Sequence, residues 1–431
     1  MSMLLLKNGL VVDPSQGISE KMDILIQGDK IAKVAKNIEA SQEMKTIDLT
    51  GKVITPGFID LHVHIREPGF EHKETILTGS MAAVRGGFTG IACMPNTNPI
   101  IDNEGNLELI KARANRYNLT NIYPIAAVTK GQKGQEITEY GILKEAGAIA
   151  LSDDGLNIES AQVMRKALDY AKIFDLLIIS HCEDQSLAGS GVMHEGFMST
   201  KLGLAGIPAL AEEMIIDRDI RLAELTKGKI HIAHVSTREG VEIIRRAKAK
   251  GIKVTAEAAP HHFVLTHEAV ASYDTNTKVY PPLREKEDVA AIIKGLADGT
   301  LDAIATDHAP HAREEKEVEY ELAPPGISGL ETALPLAWQY LYLPGHLSLL
   351  ELVACLSTKP AQILGIDRGT LQEGKVADIT VIDPQKTEKV DPQSFYSMGR
   401  NTPFKGWELQ GWPVMTIKDG QIKMENGRIV E

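Results

Sequence analysis

The stretch Val53-Ile54-Thr55-Pro56-Gly57-Phe58-Ile59-Asp60-Leu61-His62-Val63-His64-Ile65-Arg66 begins as an apolar run and ends in two histidines with one residue between them. In a strand, alternate side chains share a face, so His62 and His64 project together. Two imidazoles at one strand end can bind a transition metal such as zinc. A lone His-x-His is also a common accident of sequence on a surface strand. The choice between these readings turns on whether further ligands arrive from elsewhere in the chain.

Working outward, residues 53–355 alternate apolar strands with amphipathic stretches such as 159–172 and 241–250. Strands are expected at 54–64, 89–94, 122–128, 149–154, 176–182, 230–236, 253–259 and 303–308. Eight β/α units over roughly 250 residues or more predict an α/β fold of the (β/α)8 TIM-barrel kind. The ends of the chain differ in texture. Residues 3–52 read as short strands broken at Asn8-Gly9 and Gly28-Asp29, dipeptides that signal hairpins. Strands return after Gly365, at 377–383 and 414–418. Each end is short for a stable domain, so residues 1–52 and 365–431 are expected to pair into one small β-sandwich beside a barrel of residues 53–364.

Composition narrows the function. The chain has 431 residues, 43% of them apolar and 24% charged, as in ordinary globular proteins. With 46 basic against 58 acidic residues the formal charge is −12, which argues against a nucleic-acid or anionic-membrane surface. Cys93, Cys182 and Cys355 lie far apart with no Cys-x-x-Cys, so no disulfide framework is expected. The opening Met1-Ser2-Met3-Leu4-Leu5-Leu6-Lys7 lacks the pattern of a signal peptide, and no apolar run approaches the roughly 20 residues of a membrane span. A cytoplasmic protein is expected.

Barrel enzymes place reactive groups where strands end and βα loops begin. Metal-ligand residue types stand at that end of five expected strands: His62 and His64, Asp153-Asp154, His181, His234 and Asp307. Any one of them alone reads more simply as a half-buried, hydrogen-bonded side chain. Five coincidences at equivalent positions argue for a metal site. His62, His64, Asp154, His181, His234 and Asp307 are too many ligands for one tetrahedral ion and suit two, bridged by a carboxylate and a hydroxide. Imidazoles with carboxylates favour zinc over magnesium or calcium. Two cations would supply hydroxide at neutral pH, and Asp307, expected across the barrel from the first strand, is placed to take its proton. The reaction class is hydrolysis of an amide-like bond or its reverse. Arg66, Asn96 and His311 share the same rim, and an arginine fork suits a substrate carboxylate. The simpler alternative pairs Arg66 with Glu67 or Glu71.

The motifs His62-Val63-His64-Ile65-Arg66-Glu67-Pro68-Gly69, Met94-Pro95-Asn96-Thr97, Ser152-Asp153-Asp154-Gly155, Ala305-Thr306-Asp307-His308-Ala309-Pro310-His311 and Gly329-Leu330-Glu331-Thr332 resemble those of the type I dihydroorotases of the amidohydrolase superfamily. The resemblance spans essentially the whole chain. It implies reversible zinc-dependent cyclisation of N-carbamoyl-L-aspartate to L-dihydroorotate in pyrimidine biosynthesis. It also implies that His62 and His64 hold one zinc, that His181 and His234 hold the other, and that Asp154 and hydroxide bridge them. Asp307 would complete the first site and act as base. Arg66, Asn96 and His311 would bind the substrate carboxylate, with His64 beside them, and Pro325-Gly326 would contact the ring through its backbone. The family usually has asparagine where this chain has Tyr280, so a substrate contact at Tyr280 differs in kind.

Hydantoinases, allantoinases and other dihydroorotases carry a carboxylated lysine at the end of the fourth strand. The run Ile149-Ala150-Leu151-Ser152-Asp153-Asp154-Gly155 has none, which disfavours an allantoinase- or hydantoinase-like cyclic amidohydrolase. A third reading, a non-catalytic homologue that scaffolds aspartate transcarbamoylase, is disfavoured because every ligand position is filled. On a homodimer, and on association of a catalytic chain with aspartate transcarbamoylase, the sequence is silent. His261 and His262 are candidates for support of the metal ligands. His308 points away from Asp307 in an extended strand, and Cys182, Trp407 and Trp412 read as packing.

Overall fold

The computed structural model describes residues 3–430. Eight parallel strands make up the central sheet: β1 (Phe58–Val63), β2 (Phe88–Cys93), β3 (Asn121–Ala126), β4 (Ala150–Ser152), β5 (Leu177–Ser180), β6 (Ile230–Ile232), β7 (Val254–Ala258) and β8 (Ala303–Ile304). They pair in sequence order from β1 to β8. The sheet closes on itself beyond the last strand. Val63 and His308 form a parallel bridge, and the His64 N–H donates to the His308 carbonyl at 2.8 Å. This is a TIM barrel, and its second to eighth strands fall where periodicity placed them.

The connecting helices follow from their sequences. In Arg238–Ala249, Val241, Ile244 and Ala247 recur at a spacing of three and are buried, which gives one apolar stripe to lay on the sheet. Its N-terminus is capped by the Thr237 hydroxyl, which accepts from the Gly240 N–H at 3.1 Å. The helix expected at 159–172 is observed at Ala161–Ile173.

A second, nine-stranded sheet draws on both parts of the chain that flank the barrel. It includes Met3–Asp13, Ile18–Gln27 and Lys30–Ala35 on one side and Ile379–Lys389, Glu408–Lys418 and Gln421–Glu425 on the other. The sheet folds over its own core of Leu6, Val11, Ile24, Ile26, Ile379, Val381 and Ile417, forming the expected β-sandwich.

Two expectations are corrected. The single strand predicted over 54–64 is two strands. Val53–Pro56 pairs with Met3–Asp13 and Ile379–Lys389 in the sandwich sheet, and only Phe58–Val63 enters the barrel. Gly57 is the break. A Cβ there would lie 2.2 Å from the Thr89 hydroxyl, so only glycine fits where the chain crosses from one sheet to the other. The apolar run gave no sign of this, because both halves are buried. At Asn8-Gly9 there is no hairpin. The strand continues through a bulge with Asn8 at φ 65°, and the Asn8 N–H donates to the Asp23 carboxylate at 2.8 Å.

Candidate metal centre and active site

At the C-terminal mouth of the barrel, four imidazoles surround one carboxylate. Asp154 Oδ1 lies 3.3 Å from His62 Nε2 and 3.6 Å from both His181 Nδ1 and His234 Nε2. Its Oδ2 lies 3.4 Å from His64 Nε2. Asp307 Oδ1 is 3.2 Å from His64 Nε2 and 3.5 Å from His62 Nε2. Asp307 therefore sits beside the first strand and not across from it, because closure makes β8 the neighbour of β1. The adjacent Asp153 is turned away, its carboxylate accepting from the Thr129 N–H and hydroxyl. Residues just past the strand ends take unusual backbone angles. Arg66, His234 and Asp307 have φ of 65°, 33° and 47°. Such angles cost of order 1–3 kcal/mol each and cluster at functional sites.

Ring partners decide which nitrogens face the cluster. His62 Nδ1 is 2.9 Å from Glu257 Oε1, so Nδ1–H donates to that carboxylate and Nε2 keeps its lone pair. His64 Nδ1 donates in the same way to Asn96 Oδ1 at 2.9 Å. His62 Nε2, Asp154 Oδ1 and His234 Nδ1 are buried with no hydrogen-bond partner among the described residues. Unsatisfied polar atoms at such depth are rare and expensive. His181 Nδ1 and His234 Nε2 are 2.9 Å apart, near the roughly 3.3 Å of two nitrogens on one tetrahedral zinc at about 2.0–2.1 Å. The donor set fits metal ions. Sets of His62, His64 and Asp307, and of His62, Asp154 and His234, each present ligand atoms within 4.8 Å of one another.

Charge follows the same plan. Burial alone would raise Asp307, but the bond from His64 and the imidazoles of His62 and His234 outweigh it and hold the carboxyl well below its usual range. Asp154 is likewise held low against burial by His62, His181 and His234. Both stay ionised. Sequence reasoning missed the support beneath them. Glu257 bridges His62 and His231, whose Nε2 is 3.1 Å from Oε2. Asp60 accepts the backbone N–H groups of His62 and Thr306. The available signal was a carboxylate alternating with alanines in the buried run Val254–Ala258. His308 lies where the sequence put it, facing Glu74 at 3.2 Å. His262 Nε2 is 3.0 Å from the Pro281 carbonyl, while His261 Nε2 has no hydrogen-bond partner among the described residues.

Beside the cluster opens a cavity of about 230 Å³, lined by His64, Arg66, Asn96, Tyr280, His311, Pro325 and Gly326 as well as Asp154, His181, His234 and Asp307. It is smaller than the roughly 300 Å³ lower end of drug-sized sites, so it suits a compact substrate. Arg66 pairs with neither Glu67 nor Glu71, since Arg113 takes both. Its Nε donates to the Pro310 carbonyl at 3.2 Å, and Nη2 stands 3.4 Å from His311. Asn96 spends its oxygen on His64 and keeps its NH2 for the cavity. The Tyr280 hydroxyl donates to the Gly191 carbonyl at 2.8 Å, so the ring faces the cavity while the hydroxyl is engaged. The peptide groups of Pro325-Gly326 are also engaged. Gly326 N–H donates to the Lys278 carbonyl at 2.8 Å, and the Pro325 carbonyl is 2.9 Å from His311 Nε2.

A further set, His194, His267 and Glu285, also brings ligand atoms together. There Arg284 donates to His194 Nδ1 at 3.1 Å, which leaves the proton on Nε2 and removes that nitrogen as a ligand.

Residues 51–240 match the family described as Dihydro-orotase-like, and residues 327–423 match the Amidohydrolase family. A protein of Pelotomaculum thermopropionicum named dihydroorotase is 55% identical over 98% of this chain and 99% of its own length. One of Syntrophotalea carbinolica, with the same name, is 52% identical over 97% and 98%. Among solved structures, the L-hydantoinase (dihydropyrimidinase) of Arthrobacter aurescens superposes with a TM-score of 0.88 at 26% identity, covering 100% of this chain and 98% of that one. The D-hydantoinase of a Thermus species gives 0.84 at 27%, covering 99% and 96%.

Proposed function

This chain belongs to the dihydroorotase family, and on that premise we infer that it is a cyclic amide hydrolase interconverting N-carbamoyl-L-aspartate and L-dihydroorotate. The observation that carries the site assignment is the ring of four imidazoles about Asp154, with Asp307 and Arg66 on its margin. Two zinc ions are the fitting occupants. His62 and His64 with Asp307 would hold one, His181 and His234 the other, and Asp154 both. Bound there, the ions polarise the ring carbonyl and lower the pKa of a shared water.

The chain's own groups supply the rest. In hydrolysis a water oxygen attacks the ring carbonyl carbon, the carbon–nitrogen bond breaks, and the ring nitrogen takes a proton. Asp307, ionised and beside the ligand imidazoles, accepts the proton of the attacking oxygen and returns it to the leaving nitrogen. Cyclisation runs the same transfers backwards. The Arg66 guanidinium, the Asn96 NH2 and His311 bind the substrate carboxylate. Tyr280 contributes the flat of its ring and no hydrogen bond to the substrate. Asp154, in a strand end without lysine, supports the type I assignment over a hydantoinase-like one.

Cyclisation and hydrolysis by the purified protein, with metal counted in the same sample, test this reading. Turnover with two zincs per chain, lost in Asp307→Ala, is the expected result. Full metal with turnover of hydantoins but not of dihydroorotate would overturn it.

A further inference from the structure

Asn401 belongs to no barrel strand. It sits in the stretch between Ile379–Lys389 and Glu408–Lys418, the two long strands of the sandwich sheet. Yet its side chain is 3% exposed and reaches the rim of the cavity. Nδ2 donates to the Ala309 carbonyl at 2.9 Å and to the Gly326 carbonyl at 2.9 Å. Oδ1 accepts the His311 N–H at 3.0 Å and the Ser328 hydroxyl at 2.9 Å. Both donors of the amide are used, and its oxygen accepts twice, so its orientation is fixed. The Asn401 carbonyl also takes the Ser328 N–H at 2.8 Å.

The two peptides so joined form one wall of the cavity. Residues 309–311 carry the His311 ring and the Pro310 carbonyl that receives Arg66. Residues 325–326 face them, and His311 spans the gap to Pro325. The docking is close. A Cβ on Gly399 would lie 2.4 Å from the Ser328 hydroxyl and 2.5 Å from the Pro310 Cβ. Among the described residues, no other side chain of the sandwich segment hydrogen-bonds to both peptides.

We propose that Asn401 is a positioning residue for substrate-carboxylate recognition, setting the spacing between the Arg66–His311 arm and the Pro325-Gly326 arm from outside the barrel. The proposal rests on the assignment of Arg66 and His311 to the carboxylate. Among the described residues the Asn401 side chain hydrogen-bonds to none of His62, His64, Asp154, His181, His234 and Asp307, so its loss acts on substrate binding and leaves the ion cluster in place. A displacement of about 1 Å in a positioning group is enough to cost up to 100-fold.

The test is steady-state kinetics of the zinc-loaded holoenzyme for Asn401→Asp, which keeps the shape and replaces both amide protons by an oxygen facing two carbonyls. Expected are a KM for dihydroorotate raised tenfold or more, kcat within threefold of wild type, and unchanged zinc per chain. Loss of kcat and zinc together with an unchanged KM would mean a structural role only and overturns the proposal. If Asn401→Asp does not yield folded protein, Ser328→Ala, which removes one hydroxyl donor from the same junction, is read by the same criteria. His311→Ala separates the two levels. If it leaves KM unchanged, the carboxylate assignment itself fails. If it raises KM and the Asn401 and Ser328 variants do not, only the present inference falls.

Discussion

The two walls of the cavity are built on opposite plans. On the metal wall, side chains project from strand ends, and His62 Nε2 and Asp154 Oδ1, which face each other across the cluster, are left without hydrogen-bond partners among the described residues. On the substrate wall, made by loops, most polar groups are already engaged: Tyr280 with Gly191, Gly326 with Lys278, His311 with Pro325. On the proposed function, the first wall holds its valence in reserve for ions. The second uses its hydrogen bonds to hold itself together, and what it offers a substrate is the Arg66 guanidinium, the Asn96 NH2 and the His311 ring that Pro325 holds in place. A change on the metal wall should therefore remove chemistry, and a change on the substrate wall should weaken binding.

The largest expected effect breaks the metal wall at Asp307, the proposed proton carrier. Asp307→Asn should lower kcat by about 10²–10⁴, the usual worth of a general base; a loss smaller than tenfold would place the base elsewhere. Next is the support beneath that wall. Glu257→Gln removes the negative charge and leaves one acceptor oxygen for two imidazoles, His62 and His231, and should cost about 10–100-fold in metal affinity or activity, measured by zinc retention against a chelator. On the other wall, Arg66→Lys gives up a two-pronged grip. It should raise KM about 10–100-fold, corresponding to the roughly 1.5–3 kcal/mol of a charged hydrogen bond, with kcat nearly unchanged. A fall in kcat with constant KM would erase the contrast between the walls.

A smaller effect lies where the sandwich segment meets the barrel. Burial raises Glu331 to about 8, against which the Ser397 and Tyr396 N–H groups bonded to it and the charge of Arg85 pull down. The folded chain thus keeps a proton that the unfolded chain gives up above 4.5. Its contribution to stability is complete below that value and declines as pH rises toward 8. The slope is at most about 1.4 kcal/mol per pH unit. Denaturant midpoints between pH 5 and 8 should fall less steeply in Glu331→Gln than in the wild type. The smallest change is expected for Tyr280→Phe, which loses one hydrogen bond, about 0.5–1.5 kcal/mol of stability. Its KM should stay within about threefold, because the hydroxyl already serves Gly191. A larger rise would mean that the hydroxyl meets the substrate.

The contrast also explains what could be read in advance. His62, His64, Asp154, His181, His234 and Asp307 were visible because a strand has a fixed period and its end has a fixed address in a barrel. The eight-stranded plan was visible for the same reason. Glu257 sits on such a strand too, but a carboxylate that serves another side chain carries no motif of its own. Asn401 was invisible. Its partners lie 75 and 92 positions away in sequence, and no local pattern announces them. The engaged hydroxyl of Tyr280 belongs to the same class, since Gly191 is 89 positions away. The break at Gly57 was hidden because both sheets bury the strand on either side of it.

That break has a consequence for how the protein is made. Thr55 Oγ1 bonds to Thr380 across 325 positions, and Val53–Pro56 pairs with Ile379–Lys389 throughout. On a ribosome adding about 5–20 residues per second, the strand waits roughly 15–65 s for its neighbour. Until then one edge of the early strands stands open to any other extended chain nearby. The barrel must be synthesised during that interval, and the clasp that binds its first strand to the sandwich shuts only after the barrel has left the ribosome.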